Sequence, residues 1–245
     1  MPDWLTARPV AHRGLHDAAA GIIENTPSAF RAAIAGHYAI ECDLQLSADG
    51  EAMVHHDDTL GRLTDGSGRL DAKPAAELKR TPYRATADRM ITLGELCDLT
   101  AGRVPLMLEL KSRFDGDSRL AVRVAKVLAG YRGPVAGMSF DPSQVAALRD
   151  LLPALLRGLV AQQRQRGTRS EHDSPVPSPP RYAVQTLAAG LQFLAYRVQD
   201  LPSAMPFLAR SLFGLPLLTW TVRTAEERAR AARYADQMIF EGFRP

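Results

Sequence analysis

The chain has 245 residues, of which 46% are hydrophobic and 23% charged, so it is long enough to bury one large core. Its formal net charge of +3 comes without a block of Lys and Arg interleaved with aromatic residues, which argues against a nucleic-acid partner. Two cysteines, Cys42 and Cys97, give no disulfide framework.

The N-terminal stretch MPDWLTARP has no basic start followed by an apolar run, so it does not resemble a signal peptide. No later stretch reaches the roughly 18–20 uninterrupted apolar residues of a membrane span. We therefore expect a cytoplasmic protein with no stable membrane anchor.

Short apolar runs alternate with amphipathic stretches along the chain, which predicts strands alternating with helices and parallel pairing of the strands. The predicted strands are residues 9–13, 39–46, 52–56, 104–111, 135–140, 156–160, 191–198, 216–222 and 237–242. Predicted helices between them include residues 27–36, 119–130, 142–152, 203–212 and 225–235.

One connection is too short for a crossover between parallel strands. Only SADGE separates strands 39–46 and 52–56, and its Asp-Gly is typical of a hairpin. The third predicted strand is therefore antiparallel, and the other eight suit a closed (β/α)8 TIM barrel. An open doubly wound sheet is the alternative.

Two segments interrupt the alternation of strands and helices. Residues 57–90 form a small insertion after the hairpin, and the polar, Pro- and Ser-rich residues 162–181 predict a mobile loop. We expect residues 1–245 to form a single barrel domain.

Charged residues lie late in the predicted strands, where barrel enzymes carry their functional side chains. Glu41 and Asp43 are two residues apart and so share a face of their strand, with Cys42 on the other face. Glu109 and Lys111 share a face in the same way. Converging carboxylates repel one another, so a divalent cation is expected, and oxygen-only ligation favours Mg²⁺ or Ca²⁺ over Zn²⁺.

Two histidines are expected to lie close to these carboxylates. His12 ends the first strand, and a two-residue hairpin loop would place His56 opposite Glu41 or Asp43, depending on which two residues form the loop. The two imidazoles can supply an acid and a base near neutral pH. With Arg13 and Lys111 as fixed positive charges for an anionic substrate oxygen, this set favours phosphoryl chemistry.

Several spaced motifs resemble the glycerophosphodiester phosphodiesterase family: AHRG, ENTPSAF, AIECDLQLSADGEAMVHHDDTLGRLT, LMLELK, SFDP and TWTV, in that order. The resemblance implies a (β/α)8 barrel with an insertion after the hairpin. It also implies metal-dependent hydrolysis of a small-molecule glycerophosphodiester to sn-glycerol 3-phosphate and an alcohol. In this family the glycerol 2-hydroxyl is thought to attack phosphorus, and water then opens a cyclic phosphate.

The resemblance assigns a role to each matching residue. His12 and His56 would be the acid/base pair, and Arg13 and Lys111 would hold the phosphate. Trp220 would lie near the glycerol of the substrate. The implied metal ligands are Glu41, Asp43 and Glu109, with Glu24 close to the metal.

Three features depart from the family pattern: Glu241-Gly242 where Thr-Asp is usual, Arg223 where Asn is common, and the long loop 162–181. We expect none of them to touch the chemistry, although all can lie near the barrel mouth and change the accepted leaving group. His16 and His55 are expected to face solvent or the insertion.

Two other functions are compatible with the same residues. A lysophospholipase-D-like barrel of the same superfamily is the closest alternative, and a non-catalytic barrel that acts as a binding module is the alternative from another class. A zinc amidohydrolase or zinc phosphoesterase is disfavoured because the first strand carries HRG in place of His-x-His and the chain has only six histidines.

Overall fold

The computed structural model describes residues 1–163 and 179–245. These residues contain nine strands: β1 (Val10–Ala11), β2 (Ala39–Leu46), β3 (Ala52–Val54), β4 (Leu106–Leu110), β5 (Val135–Ser139), β6 (Leu156–Ala161), β7 (Phe193–Arg197), β8 (Leu217–Val222) and β9 (Gln237–Phe240). Each lies within two residues of its predicted bounds.

The strands close into a barrel. β1 pairs in parallel with β2 on one side and with β9 on the other, and the remaining parallel pairs run from β2 through β4, β5, β6, β7 and β8 to β9. The predicted (β/α)8 barrel is therefore confirmed, and the open sheet is excluded because β1 joins both ends of the order. β3 is the antiparallel addition, paired with β2 alone among the named strands.

Eight helices occur in the described residues: α1 (Pro27–Ala35), α2 (Ala75–Leu78), α3 (Leu93–Thr100), α4 (Arg119–Leu128), α5 (Pro142–Leu151), α6 (Pro179–Ala188), α7 (Ala204–Phe213) and α8 (Ala225–Tyr234). Local sequence signals set several of their starts. Thr92 and Thr224 each form a capping box with the Glu three residues later, and Asp141 accepts from Ser143 N at the start of α5.

The core has two layers separated by the barrel wall. Inside the barrel, side chains from alternating positions of the strands form one cluster that includes Met107, Met138 and Phe193. Outside it, a larger cluster between strands and helices includes Phe30, Cys42 and Leu96. Because strand side chains alternate in direction, Glu41 and Asp43 point to the opposite side of β2 from Cys42, as predicted.

The hairpin between β2 and β3 is confirmed, but both predicted registers are wrong. Leu44 pairs with Val54 and Leu46 with Ala52, so the connection is longer than the two residues expected. Gly50 adopts φ +81° in this loop, a conformation that favours glycine. In the observed register the backbone N–H of His55 donates to the carbonyl of Asp43 at 3.0 Å, so His55 and not His56 continues the pairing at Asp43.

The residues between β3 and α3 form a small apolar cluster together with Ile23 and with Met53 of β3. It contains Met53, Leu70, Leu78, Tyr83 and Met90 among others. The buried His55 ring lies 6.5 Å from the Tyr83 ring, centroid to centroid, so the predicted contact between His55 and the insertion is confirmed.

The predicted mobile loop, residues 162–181, falls mostly on residues 164–178, which lie outside the described residues. Its last three residues, 179–181, begin α6. In the two described parts of the chain, no helix combines the length and apolar character needed to span a membrane.

Burial of His55 makes the stability of the fold dependent on pH. Burial lowers the pKa of His55 to about 4, from an ordinary value of 6.5, with Asp57 acting against this shift and Arg62 adding to it. The unfolded chain therefore binds this proton at a higher pH than the folded chain. The resulting stability is present above pH 6.5 and is lost as the pH falls toward 4.

We expect wild type to lose about 2 kcal/mol more unfolding free energy than His55→Gln between pH 7 and pH 5. Urea denaturation at both pH values measures this difference. His37→Asn, at an exposed position, is the matched histidine control. Equal losses in wild type and His55→Gln would contradict the role of His55.

Candidate active site

In the turn after β1, three consecutive residues make different contacts. The backbone N–H of His12 donates to Phe240 O at 2.9 Å, which continues the β1–β9 pairing. Arg13 adopts φ +57°, and its backbone N–H donates to Glu41 Oε2 at 2.8 Å. Gly14 follows with φ +80° and lies so close to α1 that a Cβ would be 2.9 Å from Ala29. The turn thus needs glycine for both conformation and space.

Three acidic side chains meet inside the C-terminal end of the barrel. Oxygen atoms of Glu41, Asp43 and Glu109 lie within 4.8 Å of one another, and all three residues are buried. The register explains this cluster, because Asp43 on β2 pairs directly with Glu109 on β4 and Glu41 lies two residues earlier on the same face. The sequence prediction that these carboxylates converge is borne out.

Two basic side chains neutralise part of the negative charge of this cluster. Lys111 Nζ lies 2.7 Å from Asp43 Oδ1 and also donates to Glu109, and Arg13 Nε lies 3.3 Å from Asp43 Oδ2. Burial alone would raise the pKa of Asp43, but the charges of Lys111, His56 and Arg13 outweigh it and hold the pKa well below the usual range. The predicted phosphate contacts of Arg13 and Lys111 stay predictions.

Among the three carboxylates, the negative charge of Glu41 is the least well compensated by neighbouring donors and cations. Its Oε1 atom is buried, and no donor among residues 1–163 and 179–245 hydrogen-bonds to it. Burial, together with the charges of Asp43 and Glu109, raises the pKa of Glu41 well above its usual value. An unpaired buried oxygen among three carboxylates fits a divalent cation, because such an ion supplies the missing positive charge.

His56 carries its own carboxylate partner. Its Nδ1 lies 2.8 Å from Asp57 Oδ1, and its backbone carbonyl accepts from Gln45 Nε2 at 2.9 Å. Arg62 Nε donates to Asp57 Oδ2 at 2.6 Å. Although burial works to raise the pKa of Asp57, the bonds from His56 and Arg62 lower it, so Asp57 stays ionised and holds the ring.

At the edge of the site, Glu24 accepts hydrogen bonds from two arginines. Arg13 donates to its Oε1 at 2.7 Å, and Arg62 donates to the same oxygen at 2.6 Å. Glu24 is not part of the group of carboxylates within 4.8 Å, so its predicted place near a metal stays a prediction. The neighbouring Asn25 donates to Asp43 Oδ2 at 2.8 Å and therefore supports the cluster.

The expectation that the departures from the family pattern avoid the chemistry is wrong for Glu241. Its Oε2 lies 2.5 Å from His12 Nδ1, and Arg223 Nε donates to its Oε1 at 2.5 Å. His16 Nε2 lies 3.5 Å from the same Oε2, so His16 faces this site and not solvent. Glu241 directly follows the last residue of β9, so the rule that barrel sites lie at the C-terminal ends of strands, applied to the last strand, would have found it.

Trp220 borders the interior of the barrel. Its indole N–H donates to Ala195 O at 3.0 Å, and its ring meets Phe140 edge-on with centroids 5.4 Å apart. The ring is partly exposed and packs on the interior cluster. A contact with the substrate's glycerol stays a prediction.

The chain is similar to known proteins in sequence and in fold. Residues 12–242 match the glycerophosphoryl diester phosphodiesterase family. The chain belongs to this family. The resemblance drawn from the HRG, ENTPSAF and LMLELK motifs is therefore confirmed, and the family is one of phosphodiesterase enzymes.

Two curated relatives support this assignment. A glycerophosphodiester phosphodiesterase from Caldanaerobacter subterraneus subsp. tengcongensis is 29% identical over 163 residues, which cover 62% of this chain and 66% of that relative. Glycerophosphodiester phosphodiesterase 1 from Bos taurus is 49% identical over 63 residues, which cover 25% of this chain and 18% of that protein. The matched region thus spans less than two thirds of either relative.

Two solved structures share the fold. A phosphodiesterase from Oleispira antarctica, in complex with the product sn-glycerol-3-phosphate, has a TM-score of 0.78 and 21% identity, covering 97% of this chain and 94% of that one. A glycerophosphodiester phosphodiesterase from Thermotoga maritima has a TM-score of 0.70 and 23% identity, covering 95% and 94% of the two chains. At these identities the likeness establishes the barrel fold.

We expect Gly14→Ala to lower the free energy of unfolding by about 3 kcal/mol, because it combines left-handed backbone strain with overlap on Ala29. Gly50→Ala is the matched control, since Gly50 has a similar backbone conformation, φ +81°, but a Cβ there would meet no other atom within 4 Å. That control should lose only about 1 kcal/mol. Urea denaturation of both variants makes the comparison, and equal losses would contradict the close approach of Gly14 to α1.

Proposed function

We propose that the chain hydrolyses glycerophosphodiesters to sn-glycerol 3-phosphate and an alcohol. Its membership of the family supports the reaction class. The observation that carries the proposal is the buried cluster of Glu41, Asp43 and Glu109, with the His12 ring at its edge. His12 Nε2 lies 3.9 Å from Glu41 Oε2, and the charge of His56 contributes to the low pKa of Asp43, so both imidazoles lie near this cluster.

Glu41, Asp43 and Glu109 are the residues that would hold a divalent cation, which we take to be Mg²⁺ or Ca²⁺, with Glu24 near it. Oxygen-only ligation favours these hard ions. When bound, the ion supplies positive charge that stabilises the charge on the phosphoryl oxygens in the transition state.

His12 and His56 carry out the proton transfers. One ring removes the proton from the glycerol 2-hydroxyl as its oxygen forms a bond to phosphorus. The other ring gives a proton to the alcohol oxygen as its bond to phosphorus breaks. Water then adds to the cyclic phosphate with the reverse proton transfers, which yields the phosphomonoester.

Arg13 and Lys111 orient the phosphate. Both are held by buried carboxylates, so their positive charges are already in position before a substrate enters. Fixed charge of this kind stabilises a transition state without reorganisation. The Trp220 ring, partly exposed at the barrel interior, offers an apolar face to the CH groups of glycerol.

We expect His12→Ala and His56→Ala each to lower kcat for glycerophosphocholine by at least about 100-fold while the protein remains folded, because each removes one proton-transfer group. His37→Asn is the matched control and should keep wild-type activity, since His37 is exposed and lies two residues after α1. Release of glycerol 3-phosphate from glycerophosphocholine and glycerophosphoethanolamine is the measurement. Full activity of either alanine variant would contradict the acid/base assignment.

The same assay separates the alternatives. Release of choline from a lysophospholipid, without activity on the two glycerophosphodiesters, would favour the lysophospholipase-D-like function. Tight binding of a glycerophosphodiester with no turnover in any metal would favour the binding module.

We also expect Mg²⁺ or Ca²⁺ to raise the melting temperature of chelated protein, and to do so more than Zn²⁺, because each relieves repulsion among the buried carboxylates. At a metal concentration 100 times its Kd, binding to the folded state adds about 2.7 kcal/mol to the free energy of unfolding. Glu41→Gln should lose most of this response and should be more stable than wild type without metal, since it removes a carboxyl group whose ionisation is opposed by burial and by Asp43 and Glu109. Glu226→Gln, at an exposed site on α8, is the control. An unchanged metal response in Glu41→Gln would contradict the proposed site.

A further inference from the structure

The carboxylate of Glu241 lies among three basic side chains beside the proposed catalytic cluster. Its Oε2 meets His12 Nδ1 at 2.5 Å and lies 3.5 Å from His16 Nε2, while its Oε1 accepts from Arg223 Nε at 2.5 Å. The Glu241 side chain is only 18% exposed, and the His12 side chain 12%. Each oxygen of Glu241 thus has a different basic partner.

The closing of the barrel creates this arrangement. Val10 pairs with Ile239 and Ala11 with Phe240, so the next residues on the two strands, His12 and Glu241, lie side by side. The backbone N–H of Glu241 donates to Val222 O at 3.1 Å, which brings Arg223 to its other side. His12, Arg223 and Glu241 directly follow β1, β8 and β9, and β1 lies beside β9 only because the sheet closes.

An ionised carboxylate only accepts hydrogen bonds, so it selects one form of the imidazole. Burial works to raise the pKa of Glu241, but the bonds with His12 and His16 and the charge of Arg223 lower it well below the usual range. Nδ1 of neutral His12 must therefore carry the hydrogen, and Nε2 keeps its lone pair. Nε2 is the nitrogen that faces Glu41, 3.9 Å from its Oε2.

We propose that Glu241 is a positioning residue that holds the His12 ring with Nε2 unprotonated and directed at the reacting atoms, and that Arg223 holds Glu241 in turn. The proposal rests on the proposed acid/base role of His12. It gives His12 the same support that Asp57 and Arg62 give His56, with a carboxylate at Nδ1 and an arginine at that carboxylate. A histidine oriented in this way keeps its ring in the productive tautomer.

Arg223 allows a specific test of this role of Glu241, because it fixes the orientation of an amide at position 241. In Glu241→Gln the amide oxygen must face Arg223, because a guanidinium has no acceptor. The amide NH₂ then faces His12, where it donates to Nδ1 and forces the hydrogen onto Nε2. Replacing Arg223 with Met in the same chain frees the amide to rotate, so its oxygen can face His12 again.

The experiment compares four proteins with wild type: Glu241→Gln, Glu241→Met, the double variant Glu241→Gln/Arg223→Met, and Glu226→Gln as the surface control. One readout is the ring ¹⁵N NMR signals of His12, at a pH where the ring is neutral, assigned by their loss in His12→Asn. The other is kcat and KM for glycerophosphocholine in the metal that activates wild type.

We expect the hydrogen on Nδ1 in wild type and in Glu226→Gln, and on Nε2 in Glu241→Gln. Glu241→Gln should lose about 100-fold or more in kcat with KM changed less than about threefold, since ground-state binding is untouched. Glu241→Met should show both tautomers and a smaller loss of kcat. The double variant should regain about tenfold of the kcat that Glu241→Gln loses.

The proposal is overturned if the hydrogen stays on Nδ1 in Glu241→Gln, or if the double variant is no more active than Glu241→Gln. Simple loss of structure in Glu241→Gln would not be reversed by removing a second side chain, so the rescue distinguishes positioning from folding. If wild type hydrolyses no glycerophosphodiester, the proposed function fails, whereas the NMR readout still decides whether Glu241 sets the tautomer of His12.

Discussion

Three carboxylates buried side by side impose the constraint on which the rest of this site depends. Removing an ion from water costs several kcal/mol even after relaxation, so Glu41, Asp43 and Glu109 require compensation from their surroundings. Arg13 and Lys111 supply two charges, and the backbone N–H of Arg13 and the amide of Asn25 supply hydrogen bonds. The compensation is incomplete at Glu41 Oε1, and this remaining deficit is what a divalent cation would remove.

The same constraint explains why the HRG turn is built as it is. Arg13 can face the carboxylates with both its side chain and its backbone N–H only because it adopts φ +57°, and the chain can turn away beside α1 only because Gly14 has no side chain. The turn also ends β1 after two residues, and His12 then lies between Glu241 at its Nδ1 and Glu41 near its Nε2. The backbone conformation of this turn therefore places both the positive charge of Arg13 and the proposed catalytic ring of His12.

Much of this arrangement was predictable because it depends on short-range rules. Alternation along β2 put Glu41 and Asp43 on one face, and the rule that barrel sites lie at strand ends brought in Glu109, Lys111 and His12. The hairpin register was not predictable, because hairpin loops of different lengths can begin from the same Asp-Gly signal. Arg62 was missed for a different reason: the insertion that carries it has no periodic pattern to orient it toward Glu24 and Asp57.

The amino-acid sequence by itself determined the alternation of strands and helices, the family to which the chain belongs, and the residue types gathered around His12, because these depend on patterns within one element or one motif. Only the tertiary structure decided that Glu241 contacts His12, since the two residues are 229 positions apart and nothing local relates the first strand to the last. Closure of the barrel aligns Ala11 with Phe240, and that register alone brings the two side chains together.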